Sequence, residues 1–162
     1  MSTLIKNGTL VTASETFKAD LRIVDGKISE IGATLTARNN EKLIDASGLY
    51  ALPGGVDAHV HLDLPMMGTV SSDDHYTGTK AAAFGGTTTV IDFISQDSDD
   101  LIQLVEEMRM KADTKVAIDY GFNMNITHYN EKVDRTIPEM VKSGITSIKV
   151  FTAYNNRLRL HD

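Results

Sequence analysis

The chain has 162 residues, of which 41% are hydrophobic and 23% charged, and this composition indicates an ordered globular protein. Its net charge is −6 and its 16 basic residues are dispersed, which argues against a nucleic-acid or anionic-membrane partner. Because it contains no cysteine, it can form neither a disulfide nor a thiolate metal site, so His and carboxylate side chains are the expected metal ligands.

The N-terminal residues lack the apolar run of a signal peptide, and no stretch approaches the about 20 apolar residues that span a membrane. A cytoplasmic location is therefore the default expectation. Neither an internal repeat nor a low-complexity segment is present in the sequence.

Residues 1–50 predict a small antiparallel β unit. Two dipeptides, Asn7-Gly8 and Asp25-Gly26, each lie between short apolar runs and are strong signals for two-residue hairpin turns. A further strand is predicted at residues 42–45. A sheet of this size is marginal by itself, so we expect it to pack on other parts of the protein.

From Tyr50 the pattern changes to alternating strands and helices. Strands are predicted within residues 52–61, 87–93, 116–126 and 145–151. Four such units in series indicate a parallel α/β domain, either doubly wound or a barrel. A (β/α)8 barrel has eight strands and typically about 250 residues, so this chain would supply only half of one.

Two helices are predicted between the first three of these strands. The first covers residues 71–84, with Ser72 or Asp73 as its N-cap and Gly85-Gly86 as its end. The second follows Asp97-Ser98 and is amphipathic. Its apolar face is predicted to consist of Leu101, Leu104, Val105 and Met108.

A third, shorter helix is predicted before the last strand. Thr136 is expected to cap it, and Pro138 is expected in its first turn, where a missing N–H is tolerated. Gly144 is expected to end it.

Two histidines, His59 and His61, lie in the first predicted strand. Residues two apart in a strand point to the same face roughly 6.6–7 Å apart, so both imidazoles can bind one ion. The alternative is a pair of core histidines that make local hydrogen bonds. Asp57 shares this face, and we expect it to brace the backbone or a ligand rather than bind the metal itself.

Lys149 lies in the middle of an apolar, β-branched strand, where a lysine is rarely buried without a partner. Burial favours the neutral amine, which can add carbon dioxide to give a carbamate that bridges two metal ions. The alternative is a strand-end lysine whose ammonium group reaches solvent.

Several motifs together resemble one family. Residues 53–65, 85–89, 92–93 and 144–151, followed by Ala153-Tyr154, are similar to the cyclic amidohydrolases, closest to the D-hydantoinase and dihydropyrimidinase group. The likeness runs in order over the whole chain. It implies a metal-dependent (β/α)8 TIM barrel preceded by a small antiparallel β-sandwich segment.

The resemblance also implies how the chain is divided. Residues 1–50 would be the sandwich segment, which C-terminal strands complete, and residues 51–162 would be the first four β/α units of the barrel. Two further His ligands and an Asp that acts as ligand and general base would come from later strands. We therefore expect the N-terminal part of a longer enzyme, inactive by itself.

The resemblance further implies roles for individual residues. His59 and His61 would bind one metal ion, and carboxylated Lys149 would bridge two, with zinc expected and manganese as the alternative. The Tyr154 hydroxyl would donate to the oxyanion that forms during attack on the ring carbonyl. Leu64, in the loop over residues 62–72, would contact the substituent of the substrate ring.

The implied reaction is hydrolysis of a cyclic amide or imide, a hydantoin or dihydropyrimidine, by a metal-bridging hydroxide. Dihydroorotase-like relatives carry an Arg where this chain has Asp63, whose charge would repel a substrate carboxylate and so favours an uncharged ring.

The family also suggests a homotetramer. The alternatives are a non-catalytic scaffold related to dihydropyrimidinases and an inactive fragment. His75 and His128 match no ligand position and are expected to be structural or exposed.

Overall fold

The computed structural model describes residues 1–66, 68–155 and 157–160. The chain divides into two compact units, unit 1 (Met1–Pro53) and unit 2, which begins at Gly54. Within the described ranges, no helix has the length and apolar character needed to cross a membrane.

Unit 1 is built on one mixed sheet. Its strands are β1 (Ser2–Val11), β2 (Thr16–Val24), β3 (Lys27–Gly32), β4 (Lys42–Asp45) and β5 (Tyr50–Ala51). The order is β3-β2-β1-β4, and β5 also pairs with β1. β2 is antiparallel to β1 and β3, whereas β4 and β5 run parallel to β1. The prediction of a purely antiparallel unit is therefore wrong, because residues 33–41 carry the chain across the sheet before β4.

The two predicted hairpin turns have different outcomes. The turn at Asp25-Gly26 is confirmed: it joins β2 to β3, and both residues have positive φ, +49° and +77°. The turn at Asn7-Gly8 is wrong, because β1 continues through it with a register shift. Asn7 has φ +62°, and its backbone N–H donates to Oδ1 of the buried Asp20 at 2.8 Å. The Asp20 carboxylate thus gives the Asn7 N–H a hydrogen-bond acceptor, so that a residue with left-handed backbone forms a bulge within β1.

Unit 1 buries an ion pair. The Arg22 guanidinium is buried and donates from Nε to Glu41 Oε1 at 2.9 Å, and it also contacts Glu30 and the Thr36 carbonyl. Hydrogen bonding from Arg22, assisted by Ser2, lowers the pKa of Glu41 to about 2. An open groove of about 530 Å³ on this unit has almost entirely apolar walls. Among its lining residues are Ile5, Leu10, Leu21, Ile23, Ile28 and Ile44.

Unit 2 contains six strands and three helices among its described residues. In chain order these are β6 (Gly55–Asp57), β7 (Pro65–Met66), β8 (Thr69–Val70), α1 (His75–Phe84), β9 (Thr87–Ser95), α2 (Leu101–Ala112), β10 (Asp119–Ile126), α3 (Glu131–Lys142) and β11 (Ile148–Val150). β7 and β8 form a small antiparallel hairpin. The other four strands form a parallel sheet in the order β11-β10-β9-β6.

The order of this parallel sheet decides between the two predicted architectures. A doubly wound sheet reverses its strand order at one point, whereas barrel strands are neighbours in chain order. Strands β6, β9, β10 and β11 follow chain order without a reversal. The arrangement is therefore that of half a barrel, with a helix connecting each strand to the next.

The α1 helix begins later than predicted. Asp74, rather than Ser72 or Asp73, is its N-cap, and its carboxylate accepts from the Thr77 backbone N–H at 2.7 Å. In return, the Thr77 hydroxyl oxygen accepts from the Asp74 backbone N–H at 3.0 Å. This reciprocal capping box satisfies two N–H groups at once, which neither Ser72 nor Asp73 does here. The predicted end at Gly85-Gly86 is confirmed.

The α3 helix begins at Glu131, so the prediction of Thr136 as its cap is wrong. Asn130 is the N-cap, and its side chain accepts from the backbone N–H groups of Lys132 and Val133 at 2.9 and 3.0 Å. Pro138 consequently lies inside the helix rather than in its first turn. Because proline has no N–H, the carbonyl one turn before it loses its helical hydrogen bond.

The core of unit 2 lies between the parallel sheet and the helices α2 and α3. Side chains alternate along β10, so that Phe122, Met124 and Ile126 point into this core. The intervening residues Asn123 and Asn125 lie on the opposite face of the sheet. Helix α2 buries Leu101, Leu104 and Val105 and packs Met108 at the edge of the core, which confirms its predicted apolar face.

Candidate active site

The strand before the two histidines is shorter than predicted. β6 ends at Asp57, so His59 and His61 follow the strand instead of lying within it. The segment still runs beside β9, because the Val60 backbone N–H donates to the Ile91 carbonyl at 3.1 Å. The alternation of a strand is kept, and the two imidazoles come together with ring centroids 5.2 Å apart and planes at 82°.

Both imidazoles lie against Phe93, a buried residue of β9. The ring centroid of Phe93 is 4.6 Å from that of His59 and 5.1 Å from that of His61. Lys149, in β11, reaches the same ring: its Nζ lies 4.2 Å from the Phe93 centroid and 4.8 Å from that of Phe151. The structure thus brings His59, His61 and Lys149 together around one phenyl ring.

The surroundings of His61 favour a neutral imidazole. Partial burial, followed by the nearby Lys149 ammonium and His59, lowers the pKa of His61. The neutral imidazole that this favours is the form that binds metal ions. In residues 1–66, 68–155 and 157–160, His, Cys, Asp and Glu side chains form no group of three that could hold a metal ion. The donor set on these residues therefore fits one metal incompletely.

Asp57 acts on the backbone. Its Oδ1 accepts a hydrogen bond from the His59 backbone N–H at 3.1 Å. This bond holds the backbone at the point where the chain leaves β6.

Tyr154 follows β11 in a tight turn. Its backbone is left-handed, with φ +64°, and its carbonyl accepts from the N–H groups of Arg157 and Leu158 at 3.1 and 3.2 Å. The side chain is 65% exposed, and its ring lies 5.9 Å from that of Phe151 at a 73° angle. Phe151 is also the ring under Lys149, so one aromatic side chain contacts both predicted residues.

Leu64 lies at the base of the β7–β8 hairpin. Its backbone N–H donates to the Ser71 hydroxyl at 3.0 Å, and its carbonyl accepts from the Ser71 N–H at 2.9 Å. The half-buried side chain lines a pocket of about 150 Å³ together with Phe93, Leu104 and Met108. Met67, which the sequence also places in this loop, lies outside the described residues.

Sequence reasoning missed a buried cluster behind His61. His75 is buried, with Nδ1 2.8 Å from Asp63 Oδ2 and Nε2 3.7 Å from Asp92 Oδ2. Asp92 accepts from the Leu62 backbone N–H at 3.2 Å, and burial raises its pKa. An acid among the apolar residues 90–94 of β9 was the available signal. His128, by contrast, is exposed.

Asp63 takes part in this cluster. Its carboxylate binds His75 and lies 4.0 Å from Lys115 Nζ. The charge is therefore shared with partners inside the fold.

The chain is similar in sequence to known proteins. The sequence profile of the Amidohydrolase family matches residues 50–125. The chain is 48% identical over 164 residues to a D-hydantoinase of Geobacillus stearothermophilus and 42% identical over 161 residues to a dihydropyrimidinase of Dictyostelium discoideum. The resemblance to the amidohydrolases is confirmed.

Solved structures of D-hydantoinase and dihydropyrimidinase match this chain at similar sequence identity. A D-hydantoinase crystal structure has a TM-score of 0.95 at 47% identity, and a dihydropyrimidinase from Brevibacillus agri has a TM-score of 0.95 at 46% identity. Both matches cover 100% of this chain and 35% of the other. The two curated relatives are likewise covered over 35% and 32% of their length, against 100% and 98% of this chain. The chain thus spans about a third of the proteins it matches.

Proposed function

We propose that this chain forms part of a cyclic-amide hydrolase that opens a hydantoin or dihydropyrimidine ring. The observation that carries the proposal is the convergence of His59, His61 and Lys149 on the Phe93 ring. The names of the relatives, D-hydantoinase and dihydropyrimidinase, support this substrate class. Other amidohydrolases act on different substrates, and the high identity to these two favours cyclic amides over them.

The metal centre would be shared between these residues and later parts of the protein. His59 and His61 would hold one divalent ion, zinc or manganese, as neutral imidazoles. Lys149 would lose two protons from its ammonium group and gain carbon dioxide at Nζ, which turns a cation into a carbamate anion able to bridge two ions. When bound, two such ions would supply a nucleophile from water at neutral pH and polarise the ring carbonyl.

Three further residues would orient the substrate and the ligands. Tyr154 would donate its hydroxyl hydrogen to the carbonyl oxygen as negative charge develops there. Its exposed side chain is free to meet a substrate, and its left-handed backbone is the kind of unfavourable conformation that recurs at functional sites. Leu64 would contact the ring substituent from the hairpin loop. Asp57 would keep the His59 backbone in place.

Both units would be completed by later segments of the same polypeptide. Residues 1–50 would be a β-sandwich segment, and residues 51–162 the first four units of a (β/α)8 barrel. The open apolar groove on unit 1 supports the first assignment, since C-terminal strands would cover it. We also propose a homotetramer in the cytoplasm.

The scaffold alternative predicts the loss of metal ligands, whereas His59, His61 and Lys149 are present together and in contact with one ring. The fragment alternative concerns residues 1–162 alone. Because the curated relatives are about three times as long, we expect this segment to be inactive without the rest of the protein.

The decisive experiment is the substitution Lys149→Ala in the full-length protein that carries this sequence. We expect the loss of bound zinc, measured by elemental analysis, and a fall in hydantoin and dihydrouracil hydrolysis of at least about 100-fold, because the bridging anion is absent. Lys80→Ala is a matched control, since Lys80 also lies over an aromatic ring, that of Tyr76, but is exposed on α1. Normal metal content and hydrolysis in Lys149→Ala would contradict the proposal.

A further inference from the structure

A buried carboxylate lies directly behind the two imidazoles. Asp92 precedes Phe93 in β9, so the two side chains point to opposite faces of the sheet. Asp92 Oδ1 accepts from the Phe93 backbone N–H at 2.7 Å, and Oδ2 accepts from the Leu62 backbone N–H at 3.2 Å. The Asp92 carboxylate therefore binds the backbone of Leu62, which follows His61. It also binds the backbone of Phe93, whose ring contacts both imidazoles.

Helix α1 supports this carboxylate through His75. The buried His75 ring is held at Nδ1 by Asp63, at 2.8 Å, and turns Nε2 toward Asp92 Oδ2, at 3.7 Å. Among the described residues, Nε2 has no hydrogen-bond partner. The segment after His61 is consequently fixed at two consecutive positions, at Leu62 by β9 and at Asp63 by α1. The core cluster around α2 and α3 includes neither Asp92 nor His75.

We propose that Asp92 is a positioning residue that, together with His75, fixes the segment after His61 and thereby sets the affinity of the His59 and His61 imidazoles for a divalent metal ion. This rests on the proposed function, in which these imidazoles are metal ligands. A ligand that is held in place before the metal arrives loses less conformational freedom on binding. Residues that hold metal ligands from outside typically change affinity about 10–100-fold when they are removed.

The test is a zinc competition against a chromophoric chelator, with the full-length protein that carries this sequence. Asp92→Ala is expected to weaken zinc binding about 10–100-fold, because the Leu62 N–H loses its acceptor. Asp92→Asn keeps one acceptor oxygen and should recover part of this loss. If Asp92→Ala does not fold, Asp92→Asn and the His75 variants carry the test.

The His75 variants separate hydrogen bonding from packing. His75→Phe keeps an aromatic ring without a side-chain donor for Asp63, and it should weaken zinc binding. His75→Asn places an amide nitrogen near the position of Nδ1 and should bind zinc more tightly than His75→Phe. His128→Phe is the matched control, since His128 is exposed and its Nε2 lies 2.6 Å from the Asp99 carboxylate, and its zinc affinity should equal that of the wild type.

Two results would overturn the positioning role: wild-type zinc affinity in Asp92→Ala, or equal weakening in His128→Phe, which would indicate a general loss of stability. Hydrogen exchange at the Leu62 amide in the metal-free protein provides a readout independent of metal. We expect this amide to exchange faster in Asp92→Ala, and unchanged exchange would contradict the positioning role alone. A wild-type protein that binds zinc but opens neither ring would contradict the proposed function alone.

Discussion

The two units are stabilised in different ways. Unit 1 buries the guanidinium of Arg22 against the carboxylate of Glu41 and leaves one apolar groove open. Unit 2 instead buries an apolar layer between its parallel sheet and two helices, with Leu101 and Met124 fully buried. A buried ion pair depends on pH and is costly if one partner is removed, whereas an apolar layer depends on how closely its side chains pack. The two units should therefore respond to different perturbations.

The largest effect is expected from a cavity in unit 2. Leu101→Ala should destabilise this unit by about 2–5 kcal/mol, since the side chain is fully buried and the helix cannot collapse onto the vacated space. Met110→Ala on the same helix is the control, because that side chain is 70% exposed, and we expect a change within about 0.5 kcal/mol. Hydrogen exchange of the amides in each unit measures the change in stability caused by each of the two substitutions. Equal losses in the two variants would contradict an apolar layer as the source of stability.

Acid should act first on unit 1. The folded pKa of Glu41, about 2, lies below its usual value of 4.5, so its contribution to stability is present above about pH 4.5 and is lost as the pH falls toward 2. Glu41→Gln should flatten this dependence. Hydrogen exchange of unit 1 amides between pH 5 and 2.5, corrected for the intrinsic pH dependence of exchange, would reveal it. An unchanged acid profile in Glu41→Gln would contradict the ion pair as its cause.

The smallest effect is expected at Pro138, inside α3. Pro138→Ala restores a backbone N–H to the helix and should stabilise unit 2 by about 1 kcal/mol, after allowance for the greater freedom that alanine gives the unfolded chain. Unit 1 should keep its acid profile. Thermal unfolding, monitored by hydrogen exchange, measures the stability of each unit separately. A less stable α3 in Pro138→Ala would contradict the prediction and show that proline is favourable at this position.

Neighbouring strands of unit 2 show a second contrast. Met124 and Ile126 in β10 are 0% and 3% exposed, while Ile148 and Val150, their register partners in β11, are 46% and 49% exposed. Register partners point to the same face of a sheet. Large apolar side chains on the same face are therefore buried in β10 and exposed to solvent in β11. This is expected if further elements of the protein pack against β11.

Much of the fold could be predicted from local sequence signals. The turn at Asp25-Gly26 and the apolar face of α2 were predicted because each depends on a few neighbouring residues. The turn at Asn7-Gly8 was predicted wrongly, because the acceptor that keeps β1 continuous is Asp20, in another strand. The cap of α3 was misplaced for a related reason: the helix needs Asn130, and the tertiary core tolerates Pro138 in its interior.

The sequence singles out the residues of the candidate site but not the contacts that support them. The spacing of His59 and His61 and the position of Lys149 in an apolar strand are visible in the sequence. Phe93 belongs to one of the motifs that carry the family resemblance, but the sequence does not show that all three side chains contact its ring. The contact between Asp92 and Leu62 joins residues 30 positions apart, so it depends on how the strands lie side by side. Whether these residues hold a metal ion stays a prediction.

The pairing of β1 has a consequence for how unit 1 folds. β2 binds one edge of β1, whereas the other edge is shared by β4, along residues 3–6, and β5, along residues 9–10. As the chain emerges during synthesis, the β1–β2–β3 meander can form early, but the second edge of β1 stays unpaired until residues 42–51 are available. An unpaired edge can recruit strands from other chains. Unit 1 is therefore most exposed to intermolecular association in the interval before its last two strands arrive.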